Sequence, residues 1–443
     1  MSRPLRARLL GLVAVTMVAC AAPQSQAGPP AMAFGVLAAS CEPVRVTALR
    51  HAGVTIVELP LAWDRYQPAR DRVDAGYVAE IRSRITSCRD AGLGVVLAPG
   101  LQYPPSWVRA LPSGTLRGSS GASPKGGGAD LIFSAAVRDA AGDYLARLAT
   151  DVGFNGVIAV RVGTTNTGEL GYPGPDAGGN AREYWAFGAA AQHGVGLVKG
   201  MARSPLPGWV PGSARWDGRR VTAQQADAWW SWYTRSAVDA VLWQIERLRA
   251  LGFAGRVHVP VAGRGVLPAD RSRAMAGLLD GRADPDGALE RGLDYPAQFA
   301  VLARSPNVDV DFTGLDDDTA VSARAASPAQ DRCSPGDEND LLRRTDVASW
   351  STQRFTTAVA RRAGLGLVGE NPGPPGAPST GGSRWSDSLA AQLDFAPDYA
   401  AECGIGTFLF AFEDDLFNES KSGSSGVSLN DYAVRIVASK GRR

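Results

Sequence analysis

Apolar runs of four to seven residues recur along this chain, each followed by a stretch whose apolar positions fall at helical spacing. The runs are Ala33–Leu37, Val54–Leu59, Leu93–Leu97, Gly156–Val162, Arg256–Val261, Val308–Phe312, Leu365–Val368 and Gly406–Phe412. Strand-like runs alternating with helical stretches are the mark of repeated β-α units on a parallel sheet. No linker-like break interrupts them, so residues 32–443 are read as one unit. The expected fold class is α/β, a (β/α)8 TIM barrel with long loops at the C-terminal face of the strands. An open doubly wound sheet fits eight units less well. The clearest predicted helix is 223–250. Thr222 and Gln225 have capping-box spacing before it, and Gly252 stands where a C-terminal cap belongs. Trp230, Tyr233, Val238, Val241, Ile245 and Leu248 form its core-facing stripe. Three long segments follow strands, at 103–130, 169–221 and 316–340. The Gly-Gly-Gly stretch at 126–128 reads as surface decoration.

The N-terminus reads as a targeting segment. Arg3, Arg6 and Arg8 precede an apolar stretch, Leu9–Ala19, too short to span a bilayer. It ends at Thr16-Met-Val-Ala-Cys20, similar to a bacterial lipobox. Residues 1–20 are therefore expected to be a lipoprotein-type signal peptide with Cys20 lipidated, and 21–31 a flexible tether. Ordinary secretion is the alternative. Either way the protein is expected outside the cytoplasm, on the bacterial surface if anchored.

Charge narrows the partners. Lys+Arg 46 against Asp+Glu 44 leaves a formal net charge of +2, and no basic run interleaves with aromatics, so nucleic acid is not an expected partner. The three His are scattered and no CxxC occurs, which argues against a zinc site. Without a G-x-S-x-G elbow, a Ser-His-Asp triad has no support either. No metal or organic cofactor is expected, and the chain is expected to act as a monomer.

Two glutamates carry the expected chemistry. Glu169 follows Val157–Val160 after a Thr-Thr-Asn-Thr-Gly turn, and Glu370 follows Leu365–Val368, with Asn371 and Pro372 next. In a barrel, reactive groups sit at strand C-terminal ends and in the loops beyond. Carboxyls from the fourth and seventh strands would converge across the mouth. Such a pair suits glycosidic-bond hydrolysis, where one acid protonates the leaving oxygen and the other activates water or attacks the sugar. Glu169 is expected to donate the proton and so to be partly desolvated or close to another carboxylate. Glu370 is expected to be the base or nucleophile. Arg161 is placed either to tune Glu169 or to form an ion pair inside the barrel.

The segment Gly168-Glu-Leu-Gly-Tyr-Pro173 resembles the G-E-L-R-Y-P of beta-amylases, which holds that family's catalytic acid. Gly369-Glu-Asn371 is similar to the G-E-N with its base. Asp311-Phe-Thr-Gly-Leu-Asp316 resembles the family's N-F-T-C-L-E, and 53–63 and 407–417 resemble its second and final strands. The resemblance implies a barrel glycosidase that inverts configuration. Two segments depart from it. Ala262-Gly-Arg-Gly-Val266 replaces G-I-H-W-W-Y, and Gln102-Tyr-Pro-Pro-Ser-Trp107 looks more like a beta-galactosidase loop. The substrate therefore need not be starch, and a retaining beta-galactosidase-type enzyme is an alternative.

Trp63, Asp64, Asn166, Tyr172, Asp316, Asn371, Glu413 and Asp414 are expected to bind substrate, because each ends a strand or flanks a glutamate. Cys41 and Cys333 follow strands, whereas Cys88 and Cys403 lie near helix ends, toward the opposite face. Sequence-order pairing would then exceed the roughly 4.4–6.8 Å Cα separation of a disulfide. The expectation is no Cys41–Cys88 bond, with Cys41–Cys333 possible. Two non-enzymatic readings remain: a carbohydrate-binding lipoprotein, and a solute-binding lipoprotein of a transporter, whose two-lobed form eight successive units disfavour.

Overall fold

The computed structural model describes residues 32–281, 287–374, 388–419 and 426–440. Cys20 and the expected signal peptide and tether lie outside them. Eight parallel strands close a barrel in chain order: β1 (Ala33–Val36), β2 (Ile56–Pro60), β3 (Gly94–Ala98), β4 (Val157–Arg161), β5 (Arg256–Val261), β6 (Val308–Phe312), β7 (Gly366–Glu370) and β8 (Thr407–Phe410). Ala33–Val36 pairs with Thr407–Phe410 to complete the ring. This is the expected TIM barrel. The described residues from Met32 on form one compact unit.

The interior departs from the usual filling of bulky branched side chains. A small apolar plug of Leu37, Val368, Leu409 and Ala411, with Ile56 against it, occupies only part of it. In β6, alternation sends Val308, Val310 and Phe312 outward to the main core and Asp309 and Asp311 inward. Asp309 pairs with Arg256 and lies 3.7 Å from His258, toward the strands' N-terminal ends. Toward the C-terminal ends, Asp311 joins Arg161, Glu58 and Glu370.

The helix Ala223–Ala250 has both bonds of the capping box at Thr222 and Gln225, and its six stripe residues are buried. Gly252 follows at φ +90°, the left-handed value that ends the helix.

The disulfide expectation is overturned. Cys41 bonds Cys88, with Cα atoms 5.4 Å apart, and Cys333 bonds Cys403 at 5.0 Å. After β1, Ala38 and Cys41 adopt positive φ of 55° and 56°. The chain thereby leaves the barrel mouth and runs along the outside, against the helix Ala75–Asp90. Arg84 of that helix donates to the carbonyls of Ala39 and Ser40, placing Cys41 beside its last turn. Following a strand by five residues does not keep Cys41 at the catalytic face.

Candidate active site

A cavity of about 510 Å³ opens at the C-terminal ends of the strands. Its walls include Glu58 and Pro60 of β2, Gly100–Tyr103 after β3, Arg161–Gly163 and Asn166–Glu169 from β4 and the loop after it, Thr313 after β6, Glu370 and Asn371 at the end of β7, and Phe412 after β8. Glu169 and Glu370 thus face one space.

The loop that presents Glu169 is held by its own threonines. The Thr164 and Thr165 amides donate to the Glu169 carbonyl at 2.8 and 3.0 Å, and the Glu169 amide donates to Thr165 Oγ1 at 2.9 Å. Gly163 is required here, since a Cβ would lie 1.9 Å from the Gly168 carbonyl oxygen. The Glu169 carboxylate accepts from Arg291 Nη2 at 2.9 Å, Thr167 Oγ1 at 3.0 Å and Thr313 Oγ1 at 3.1 Å. Three donors, one of them a guanidinium, fix its position in the cavity wall.

Glu370 meets the opposite environment. It is buried at the end of β7, with Arg161 Nη2 at 2.9 Å. Burial pushes its pKa well above the ordinary carboxylate range; Arg161 opposes this, while Asp311 and Glu58 add to it. Glu58 is also raised, by burial, against Arg161 and a 2.9 Å hydrogen bond from the Ala38 amide. Arg161 therefore answers to both alternatives left by the sequence in part. It forms the interior ion pair, bound to Glu370 and 3.6 Å from Asp311, and it feels Glu169 only as a weaker charge. Of the two carboxyls Glu370 is the more deeply buried, its side chain 6% exposed against 16% for Glu169.

The residues expected around the pair separate into two groups. Asn166 and Asn371 line the cavity. The Gly-rich stretch at 126–128 packs against Asn166, so it is less peripheral than its composition suggests. Asn371 is spent on the scaffold: its amide donates to Gln392 and to the Ala411 carbonyl, and its oxygen accepts from the Ala411 amide.

The others lie off the cavity. Trp63 is fully buried and stacked on Tyr144, because a short helix (Trp63–Tyr66) turns it into the core. Tyr172 stacks on Tyr233 with ring centroids 3.9 Å apart. Asp64 lines a separate surface groove with Arg65 and Arg72. Asp316 is buried and paired with Arg324 at 2.8 Å. Glu413 and Asp414 both bind Arg45, at 2.9 and 2.7 Å.

Several cavity residues were not anticipated. Tyr103 and Phe412 present rings at the mouth, 48% and 40% exposed. Thr313 immediately follows β6, a position that strand-end reasoning reaches. Glu58 and Asp311 had a signal too, as carboxylates inside otherwise apolar strands. Arg291 lies in the segment between β5 and β6 with no local pattern to mark it. Among the described residues, no group of three or more His, Cys, Asp or Glu is arranged to hold a metal ion.

No family model matches the chain, and no curated protein matches it. Solved structures do. The catalytic domain of beta-amylase from Paenibacillus polymyxa superimposes with a TM-score of 0.59 at 15% identity, covering 92% of this chain and 98% of that one. A beta-galactosidase from the psychrophilic Marinomonas ef1 gives 0.58 at 13% identity, over 92% of this chain and 59% of that one. Another, from Rahnella sp. R3, gives 0.56 at 12%, over 94% and 57%. The likeness is one of fold. These three structures are a beta-amylase and two beta-galactosidases, and the chain spans just over half the length of the two beta-galactosidases.

Proposed function

We propose that this protein hydrolyses O-glycosidic bonds of an oligo- or polysaccharide, with Glu169 and Glu370 as its acid/base pair. The observation that carries this reading is the placement of two carboxyls in one cavity, one held by three donors and the other buried beside further carboxyls. Opposed environments are how a protein assigns acid and base roles to two similar groups. Tyr103 and Phe412, exposed at the mouth, supply apolar faces for sugar rings. A retaining beta-galactosidase-type enzyme is the second reading, favoured by the Pro104-Pro-Ser-Trp107 loop and the likeness to beta-galactosidase barrels.

The test is a screen of aryl glycosides and polysaccharides with wild type, Glu169→Gln and Glu370→Gln. Each substitution is expected to lower kcat/KM on the best unactivated substrate by about 10²–10⁴-fold, the usual contribution of a general acid or base. Undiminished activity in both variants overturns the assignment. A wild type that binds glycans but cleaves none leaves the carbohydrate-binding reading.

Export and anchoring through Cys20 belong to the same proposal and rest on the N-terminal sequence. In the native host, wild type is expected in the detergent phase of a phase partition and Cys20→Ala in the aqueous phase.

A further inference from the structure

We propose that Arg291 is a positioning residue for Glu169: it holds Oε2 and leaves Oε1 as the oxygen that passes the proton to the leaving group. The proposal rests on the glycosidase reading above, with Glu169 as the donor.

Backbone bonds fix Arg291 before its side chain is considered. It lies in the segment between β5 and β6, where three successive carbonyls are each taken by a different part of the chain. The Glu290 carbonyl accepts from the Tyr233 hydroxyl at 2.6 Å, the Arg291 carbonyl from the Tyr172 amide at 2.9 Å, and the Gly292 carbonyl from Gln298 Nε2 at 2.9 Å. Tyr172 belongs to the loop that carries Glu169. Gly171 lets the two backbones close, since a Cβ there would stand 2.7 Å from the Arg291 carbonyl oxygen. The two segments are therefore joined twice, through the Tyr172 amide and through the guanidinium on Glu169. A side chain aimed from a fixed backbone can hold a reacting group to the fraction of an ångström that catalysis needs.

The hydrogen bonds divide the two carboxyl oxygens. Oε2 accepts from Arg291 Nη2 at 2.9 Å and from Thr167 Oγ1 at 3.0 Å. Thr167 Oγ1 lies 2.8 Å from Thr165 Oγ1, which can donate to it and leave the Thr167 hydrogen for Glu169. A guanidinium donates and never accepts, so no proton fits between Arg291 and Oε2. Oε1 meets the Thr313 hydroxyl at 3.1 Å, and that hydroxyl is also 3.2 Å from the Val261 carbonyl. Its one hydrogen can serve Val261, which frees Oε1 to carry a proton. Arg291 and Glu169 are both mostly buried, so water competes little for the pair.

The step balances. The Oε1–H bond breaks and its electron pair stays on Glu169. The proton bonds to the glycosidic oxygen, which also takes the electron pair of its broken bond to the anomeric carbon. Water deprotonated by Glu370, or Glu370 itself, supplies the pair that replaces it at carbon. The carboxylate that forms on Glu169 is already beside the guanidinium, so no dipole has to turn to meet the new charge. Arg291 acts through Glu169 and exchanges no proton.

The experiment compares kcat/KM on glycosides of one sugar with a poor leaving group (phenyl) and an activated one (2,4-dinitrophenyl), which needs little protonation. Arg291→Met is expected to lose about 10–100-fold on the phenyl glycoside and to stay within about threefold of wild type on the activated one. Arg291→Lys, which keeps a charged donor, is expected to recover part of the loss. In the Glu169→Gln background, Arg291→Met is expected to cost no more than about twofold, since the group it positions is gone. Equal losses on both glycosides, or the same loss with and without Glu169, overturn the proposal; the first is what a role in folding alone produces.

A second readout needs no turnover. In protein carrying carboxyl-labelled glutamate, the Glu169 signal, assigned by its loss in Glu169→Gln, is expected to move in Arg291→Met while the Glu370 signal stays. An unmoved Glu169 signal overturns the proposal. A wild type that cleaves neither glycoside but shows that shift keeps the hold of Arg291 on Glu169 and loses the enzymatic reading.

Discussion

Asn371 and Glu413 are both adjacent to strand ends, yet each serves the scaffold. Asn371 ties the end of β7 to the chain after β8 through two buried hydrogen bonds with Ala411, and to Gln392 of the intervening helix through a third. Replacing it with Ala leaves the Ala411 amide and the Gln392 side-chain oxygen without their Asn371 partner, at an expected cost of about 1–3 kcal/mol in urea unfolding. Glu413 is the fully buried partner of Arg45, whose remaining acidic partners, Asp414 and Glu419, are mostly exposed. Glu413→Ala is expected to destabilise by about 1–3 kcal/mol, because the Ser40 amide loses its acceptor while Arg45 keeps Asp414 and Glu419. KM in the folded fraction is expected to be unchanged; a raised KM would return Glu413 to the substrate site. The same contrast separates two aromatics. Trp63→Ala opens a core cavity and should cost about 3–5 kcal/mol. Tyr103→Ala, at the mouth, should raise KM with little change in the unfolding midpoint. Their neighbouring sequences do not tell them apart. Trp63 ends a strand run as Tyr103 nearly does, and only the turn that follows decides which ring is covered.

Among elements, the ones with local signals were legible. Each strand announces itself by a short apolar run, and all eight fall within two residues of the expected bounds. The long helix declares its start through Thr222 and Gln225, whose reciprocal bonds need no distant partner. Connections lack such signals. The path from β1 to the helix that follows depends on two non-glycine residues at positive φ, which no sequence pattern marks. That is why the disulfides were misread. Peptide mapping by mass spectrometry is expected to recover Cys41–Cys88 and Cys333–Cys403. They close loops with sequence separations of 47 and 70, so in the chain-entropy model each contributes about 4 kcal/mol. Reduction should lower Tm markedly; an unchanged Tm would mean that the bonds do not form in solution.

For the whole molecule, buried carboxyls set the pH dependence of stability. Burial pushes Asp130 up to about 7, against hydrogen bonds from the Phe133 and Ile132 amides, and Asp331 up to about 6, against Tyr399 and Arg324. Glu58, Asp294 and Glu370 are raised in the same way. In each case the folded state holds a proton that the unfolded chain releases near the ordinary value of about 4. Stability from these groups is therefore present at low pH and lost as pH rises through the raised values. His258 works against this, since burial keeps it neutral and the unfolded chain gains a proton below about 6.5. Five carboxyls outweigh one histidine, so Tm by calorimetry is expected to be higher near about pH 5.5 than near about pH 8; the reverse order would mean that the interior carboxyls are ionised in the folded state.

By itself the sequence determined the barrel, the order of its strands and the two glutamates at its mouth, because strand periodicity, helix capping and strand-end position are local properties. The tertiary structure decided which side chains share a space. Arg291 reaches Glu169 across 122 positions, and Arg161 reaches Glu370 only because the closed ring turns β4 and β7 toward one interior. What surrounds a carboxyl is set in three dimensions, so the different environments of the two glutamates became readable only once the barrel was closed.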